Sequence, residues 1–295
     1  MSNLLKGWLS GGGDPRKASV IIQGITGRYG RLHAELIKSY GTNIVGGTSP
    51  GKGGQTVAGL PVYNDCHGAV SATGADVSVV FVPAPNYLEA VSEAFEAGIR
   101  LVIGITERVP LRDTLRSIEI AKKYGGNIIG PNTPGLIMPG RIKLGIMPVQ
   151  PFIPGNAVVL SRSGTLTYEI SNYLKKAGIG IFAALGVGGD PINSTNFIEV
   201  LEMIRDNKDV HTVVVIGEIG GDSEERVASF ISETKYPKKV AAYIAGRSAP
   251  REKKMGHAGA IIMGDVGTVE SKERALNAAG VPVARMPWQL PSLLK

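Results

Sequence analysis

The sequence has a single cysteine, Cys66, in 295 residues. No intramolecular disulfide can form, as befits a reducing compartment. Aromatic residues make up 6% of the chain, and there is no basic helix, zinc spacing or aromatic-rich binding strand. A nucleic-acid reader is therefore disfavoured. No uninterrupted apolar run approaches the ~18 residues that cross a bilayer. The leading "MSNLLKGWLSGGGDPRK" interrupts its apolar pairs with Lys6 and Gly7, so it lacks the apolar centre of a secretory signal. These absences predict a cytoplasmic protein with neither membrane nor nucleic acid among its partners. Histidines number four, and no second ligand stands at helical or turn spacing from His257, so no metal site is predicted. Cys66 precedes His67, but sequence neighbours point different ways and make no nucleophile dyad.

What is present is a globular composition, 43% hydrophobic and 19% charged, with a net charge of +7. The length suits two domains with separate cores. The excess of scattered cations favours an anionic small molecule.

Short β-branched runs alternate with helical patterns: "ASVIIQG", "TNIVGGT", "DVSVVFVPAP", "IRLVIGIT" and "GNIIGPN". This alternation predicts a parallel sheet covered by helices on both faces. In "RLHAELIKSYG", Leu32, Leu36 and Ile37 are expected to share the buried face, with His33 at the helix surface and Gly41 as the stop. From Pro131 to Pro154 repeated prolines forbid a regular helix, marking a crossing between domains. A second alternating series follows in "NAVVLS", "GIFAALGVGG", "TVVVIGEIGG", "KVAAYIAG" and "VPVARM". The fold class is thus α/β, a Rossmann-like domain over 1–131 and a flavodoxin-like doubly wound domain over 132–295. Ligands are expected at the carboxyl ends of the strands.

In "VIIQGITGRYGRLHAELI", Gly24, Gly27 and Gly30 join a strand to a helix. Such a loop turns backbone N–H groups and the positive helix end toward a phosphate. An NAD site would ask for an acid at the end of the second strand; the chain instead offers Lys52 among glycines in "VGGTSPGKGG". Coenzyme A and NADP both fit a lysine there, and a solvated turn lysine is the bland alternative. "PAP" at 83–85 and "ITE" at 105–107 fall at strand ends along the same crevice.

In the second half, "SRSGTLTYE", "GVGGDPINSTNF" and "GEIGGDSEE" each follow a strand. The first two are expected to open helices whose N-termini converge on an anion. Glu218 begins the third loop, and His257 lies in "KKMGHAGAIIMG" after the fourth strand. Anion donors, an imidazole and a carboxylate together fit phosphoryl transfer through His257, with Glu218 holding the proton on the far ring nitrogen. Spacing alone leaves His257 equally readable as a loop residue without chemistry.

Taken in order, "GITGRYG", "SPGKGG", "VPAP", "GPNTPG", "SRSGTLTYE", "GGDPI", "IGEIGG" and "MGHAGAI" resemble the succinyl-CoA ligase alpha subunits over nearly the whole chain. The resemblance implies coenzyme A contacts from Thr26, Gly27, Arg28, Tyr29, Lys52, Val82, Pro83, Ile105, Thr106 and Glu107. It implies a transient phosphate on His257, a phosphate cradle at Ser163 and Gly164, support from Glu218, and Tyr168 near the substrate. It further implies an ATP-grasp beta subunit that supplies Mg2+ and ATP or GTP, with succinate as the acid. A related NDP-forming acyl-CoA ligase subunit shares these motifs, and an NADP-binding oxidoreductase is the more distant alternative. Two departures stand out: Thr133 where the family often has cysteine, and Arg108 where it usually has glycine.

Overall fold

The computed structural model describes residues 3–248, 259–260 and 267–294. His257 and Gly256 lie outside these. The chain divides into two compact units, 1–137 with 141–147, and 138–140 with 148–295.

In the first unit, helix α1 (Leu4–Leu9) precedes strand β1 (Val20–Gln23), helix α2 (Arg28–Ser39) and strand β2 (Ile44–Thr48). Strands β3 (Thr56–Val57) and β4 (Leu60–Tyr63) and helix α3 (Cys66–Thr73) follow. Then come β5 (Val77–Val80), α4 (Tyr87–Glu96), β6 (Leu101–Gly104), α5 (Leu111–Tyr124) and β7 (Asn127–Ile129). The sheet order is β3-β4-β2-β1-β5-β6-β7, and only β3 runs antiparallel to its neighbour. Without β3 this is the Rossmann order, reversing between β1 and β5. Every residue of β1, β5 and β6 is buried, as a sheet covered on both faces requires. Ile21, Val80, Val91, Phe95 and Val102 form part of one core cluster on this sheet.

The first series of runs falls on β1, β2, β5, β6 and β7 as expected. The paired strands β3 and β4 carry no periodicity long enough to announce them. The expected face of α2 is corrected: Leu32 and Leu36 are 47% and 45% exposed, while Gly30, Ala34 and Ile37 are buried. The cause is at Gly30, where an added Cβ would run into the Gly24 carbonyl. The helix must turn that position toward the loop, which rotates the leucines outward. Gly24 itself has φ +79° with the Phe81 backbone against it, a conformation and a space that glycine alone fills without strain.

Paired strands β8 (Gly135–Met138) and β9 (Ile142–Gly145) occupy the proline-rich crossing. The prolines exclude a helix there, as expected, but not short extended segments.

The second unit runs β10 (Pro154–Ser161), α6 (Gly164–Lys176), β11 (Ile181–Gly186), α7 (Phe197–Ile204), β12 (Thr212–Glu218) and α8 (Ser223–Thr234). It closes with β13 (Lys239–Ala245), α9 (Val269–Ala278), β14 (Val283–Ala284) and α10 (Leu290–Leu293). Its parallel strands run β14-β13-β12-β10-β11. This is the flavodoxin-like order, with the switch between β10 and β12. Among the described residues no helix is long and apolar enough to cross a membrane.

Candidate functional site

Where the first sheet reverses, the loop after β1 meets the segment after β5. Helix α2 begins at Arg28 with Gly27 as its N-cap, and no side chain caps it. Its first N–H groups therefore await an acceptor beyond the helix. The Lys52 ammonium donates to Thr26 Oγ1 at 3.3 Å, and Thr26 Oγ1 lies 2.9 Å from Ser49 Oγ. Strand β2 ends at Thr48 and leads to that serine, so the carboxylate an NAD ribose would seek is absent from this turn.

A cleft of about 510 Å³ opens beside this cluster, with Gly27, Arg28, Tyr29, Pro50, Val82 and Pro83 among its walls. A second, of about 410 Å³, shares Tyr29, Phe81 and Val82 with it and continues along Ile105, Thr106 and Glu107. The Thr106 hydroxyl donates to the Val82 carbonyl at 2.7 Å, tying the two loops together. All ten residues expected to hold the coenzyme thus sit on these neighbouring loops or the first turn of α2, eight of them in the cleft walls; Thr26 and Lys52 pair at the loop itself. An elongated groove with cations and open N–H groups suits a ligand with a diphosphate and a long neutral arm.

His33, expected at the helix surface, lines the second cleft instead. Its ring stacks on Phe81 with centroids 5.5 Å apart, and Nδ1 is buried without a hydrogen-bond partner. Burial, then the nearby Lys143 charge, holds its pKa below the ordinary histidine range. Gln23, in the wall of the first cleft, and Ser49, beside Thr26, are also absent from the sequence expectation. Only a strand-end position hinted at them.

Arg108 is exposed with φ +61°. A left-handed backbone there accounts for glycine being usual in the family the motifs resemble, and Arg108 pays the Cβ penalty. Thr133 is buried, and its Oγ1 accepts the Gly135 N–H at 2.9 Å, a turn-forming role. Cys66 is buried while its neighbour His67 is exposed, so they form no dyad.

The second unit assembles its loops at its own switch point. Ser163 caps α6, accepting the Leu166 N–H at 3.4 Å, and Gly164 is the first helical residue. Between Ser161 and Ser163 lies Arg162, 5% exposed, with Nη2 3.4 Å from Glu218 Oε1 and Nη1 3.6 Å from Glu224 Oε1. Glu224 is fully buried and also pairs with the fully buried Lys272, whose ammonium reaches Glu225 at 2.9 Å. Nη1 of Arg162 donates to the Gly220 carbonyl at 3.0 Å. Gly259, two residues past His257, donates its N–H to the Gly189 carbonyl at 3.3 Å. The loops after β10 and β11 therefore meet the trailing end of the "GHAG" motif at Gly259, and the loop after β12 bonds to Arg162.

The long loop after β11 delays α7 to Phe197, and its N-terminus is closed by a reciprocal box: Glu199 N–H donates to Asn196 Oδ1 at 3.1 Å and Asn196 N–H to Glu199 Oε2 at 3.0 Å. Helix α7 is thus capped by its own first turn, and α6 begins two residues after Arg162. Tyr168 on α6 is half-buried, and burial pushes its phenol up to about 12. Among the described residues no three His, Cys, Asp or Glu side chains gather where a metal could bind.

Comparison with known proteins agrees with this division of labour. A family model described as a CoA binding domain matches residues 15–108, and one described as CoA-ligase matches 160–282. A protein of Archaeoglobus fulgidus named succinate–CoA ligase (ADP-forming) subunit alpha 2 is 50% identical over 278 residues, which is 94% of this chain and 96% of that protein. The chain belongs to the succinate–CoA ligase alpha-subunit family. Another alpha subunit so named, from Aquifex aeolicus, is 47% identical and aligns over 93% of this chain and 90% of its own. Among solved structures, ATP citrate lyase from Methanothrix soehngenii in complex with citrate and coenzyme A matches with a TM-score of 0.85 at 24% identity. That match covers 95% of this chain but 49% of the other, about half its length, and shows the shared fold.

Proposed function

We propose that this alpha subunit catalyses, with a beta subunit, the reversible conversion of succinate, coenzyme A and a nucleoside triphosphate to succinyl-CoA, nucleoside diphosphate and phosphate. The domain over 1–131 binds coenzyme A and the domain over 132–295 carries the phosphorylated imidazole of His257. The partner, an ATP-grasp protein, supplies the Mg2+ and the ATP or GTP, and the pair works in the cytoplasm. The observation that carries the reading is the uncapped start of α2 beside the Lys52–Thr26 pair, opening on the two joined clefts.

In the direction of phosphate uptake, an oxygen of hydrogen phosphate attacks the thioester carbon, the C–S bond breaks, and coenzyme A leaves as the thiol with the proton that the phosphate gives up. The lone-pair nitrogen of His257 then attacks phosphorus. The P–O bond to the acyl group breaks, succinate departs as carboxylate, and a P–N bond forms. Glu218 holds the proton on the other ring nitrogen, and the α6 N-terminus at Ser163 and Gly164 faces the phosphoryl oxygens. Tyr168, on the same helix, stands toward the acid.

Two measurements test this. Calorimetric titration of the chain with coenzyme A and with NADPH separates a coenzyme site from a dinucleotide site; tight NADPH binding without coenzyme A binding overturns the reading. Incubation of the complex with labelled ATP and Mg2+ should give acid-labile, base-stable label that disappears in His257→Gln. A panel of carboxylic acids in the full assay distinguishes succinate from the substrates of a related acyl-CoA ligase.

A further inference from the structure

Gly259 has no room for a side chain. A Cβ there would stand 2.7 Å from Arg162 Nη2 and 3.3 Å from the backbone carbonyl of Asp190. Its backbone rests on the guanidinium, and its N–H is taken by Gly189. The other described end of this segment is fixed as well: Gly267 gives its carbonyl to the Gly220 N–H at 2.8 Å. The Gly220 carbonyl in turn accepts from Arg162 Nη1. One buried arginine therefore touches the seat of both ends.

Arg162 cannot shift easily. Glu218 and Glu224 flank it, and Glu224 Oε1 also accepts the Glu218 N–H at 3.3 Å. Lys272, in the first turns of α9 just beyond Gly267, clamps Glu224 and donates to the Gly221 carbonyl at 2.9 Å. The network links the residue before α6, the end of β12, the start of α8 and the start of α9. A buried cation lacking these partners would be strongly unfavourable, so the partners fix its place.

We infer that Arg162 is a positioning residue for the phosphoryl chemistry of His257, acting through Gly259 two residues further on, and that position 259 is glycine because a side chain there would run into that guanidinium. This rests on the phosphohistidine reading above. Glycine at 259 is then a fitted contact. The seat belongs to the half-reaction in which phosphate and acyl-CoA exchange with the imidazole, because the loops that form it are this chain's own. The half-reaction with nucleotide takes place on the partner's nucleotide site and does not use it.

The test uses the alpha–beta complex and follows label on His257 from two directions: from labelled ATP with Mg2+, and from labelled phosphate with succinyl-CoA. Gly259→Ala and Arg162→Lys are compared with the wild type, with melting temperature measured alongside. For Gly259→Ala, labelling from phosphate should slow about tenfold, labelling from ATP should persist within about twofold, and melting should be unchanged. Arg162→Lys, which keeps the charge but loses the planar fork, should show the same bias. Equal slowing in both directions, or none in either, overturns the inference while leaving the phosphohistidine intact. Absence of label in the wild type overturns the underlying reading and the inference with it.

Discussion

Arg162 Nη2 stands 3.4 Å from Glu218 Oε1 where the strand order of the second sheet reverses. Each residue ends or follows one of two paired parallel strands, so the sheet register itself, Ser161 opposite Ile216, brings them together. The carboxylate assigned to the phosphohistidine is thereby oriented before any phosphate arrives.

Glu218→Gln keeps the shape of the side chain but removes one anion beside a buried cation. Arg162 retains Glu224, so the loss of stability should be about 1–3 kcal/mol, read from chemical denaturation. Overall turnover should fall about a hundredfold, the scale of one lost electrostatic support in a charged transition state. Unaltered turnover would remove Glu218 from the mechanism.

Lys52 is exposed, and Thr26 Oγ1 accepts its hydrogen bond. Lys52→Met should weaken coenzyme A about tenfold, the worth of one charge-assisted contact to phosphate. Stability should stay within about 0.5 kcal/mol, as for ordinary surface changes. Calorimetry at two salt concentrations checks it: the difference between mutant and wild type should shrink as salt rises.

Lys143 is 2% exposed and donates to the Gly145 carbonyl at 2.9 Å. Burial lowers its pKa from 10.5 to about 8. At about 1.36 kcal/mol per pH unit, this lowering penalises the charged form by about 3 kcal/mol. Because the unfolded chain binds the proton more tightly, the penalty is complete below pH 8 and lifts as pH rises toward 10.5. Lys143→Met should therefore be more stable than wild type by about 2 kcal/mol at pH 7, after subtracting about 1 kcal/mol for the lost hydrogen bond. The advantage should vanish before pH 10.5 and then reverse, leaving only the cost of the lost hydrogen bond. Denaturation midpoints across pH 7–11 decide it; a pH-independent difference would contradict the assignment.

Cys66 is buried at the start of α3, and burial, reinforced by Glu93 and Asp65, pushes its thiol well above the ordinary range. Alkylation of the native protein should be about a hundredfold slower than that of a free thiol and should become fast in guanidinium. Cys66→Ala should keep full activity, and a large loss of activity would reopen a role for the thiol.

Much of the architecture could be read locally. The runs around Val20, Ile44, Val77, Leu101 and Val158 are short and apolar, and each became a strand. The glycine loop before α2 and the serine at the start of α6 were likewise legible, because turns and caps depend on residues a few positions apart. The short strands β3, β4, β8 and β9 were not, since glycines and prolines punctuate the stretches that hold them.

Arg162 shows where such reading stops. An arginine directly after a continuous apolar strand was the one available sign of a buried cation, but its partners lie at 218 and 224, and theirs at 272. The same holds for His33, whose place in the cleft depends on Phe81 from a different loop, and for α2, whose face was set by the clash between Gly30 and Gly24.

By itself the sequence determined the alternation of strands and helices, the glycine loop that opens α2 and the order of the loops at the strand ends. These follow from backbone conformations and spacings that neighbouring residues impose on one another. Tertiary structure decided which charges became buried together, which helix ends stayed open and which glycines serve as seats. Such choices depend on desolvation and steric exclusion between segments far apart in the chain, which arise only once the sheets are assembled.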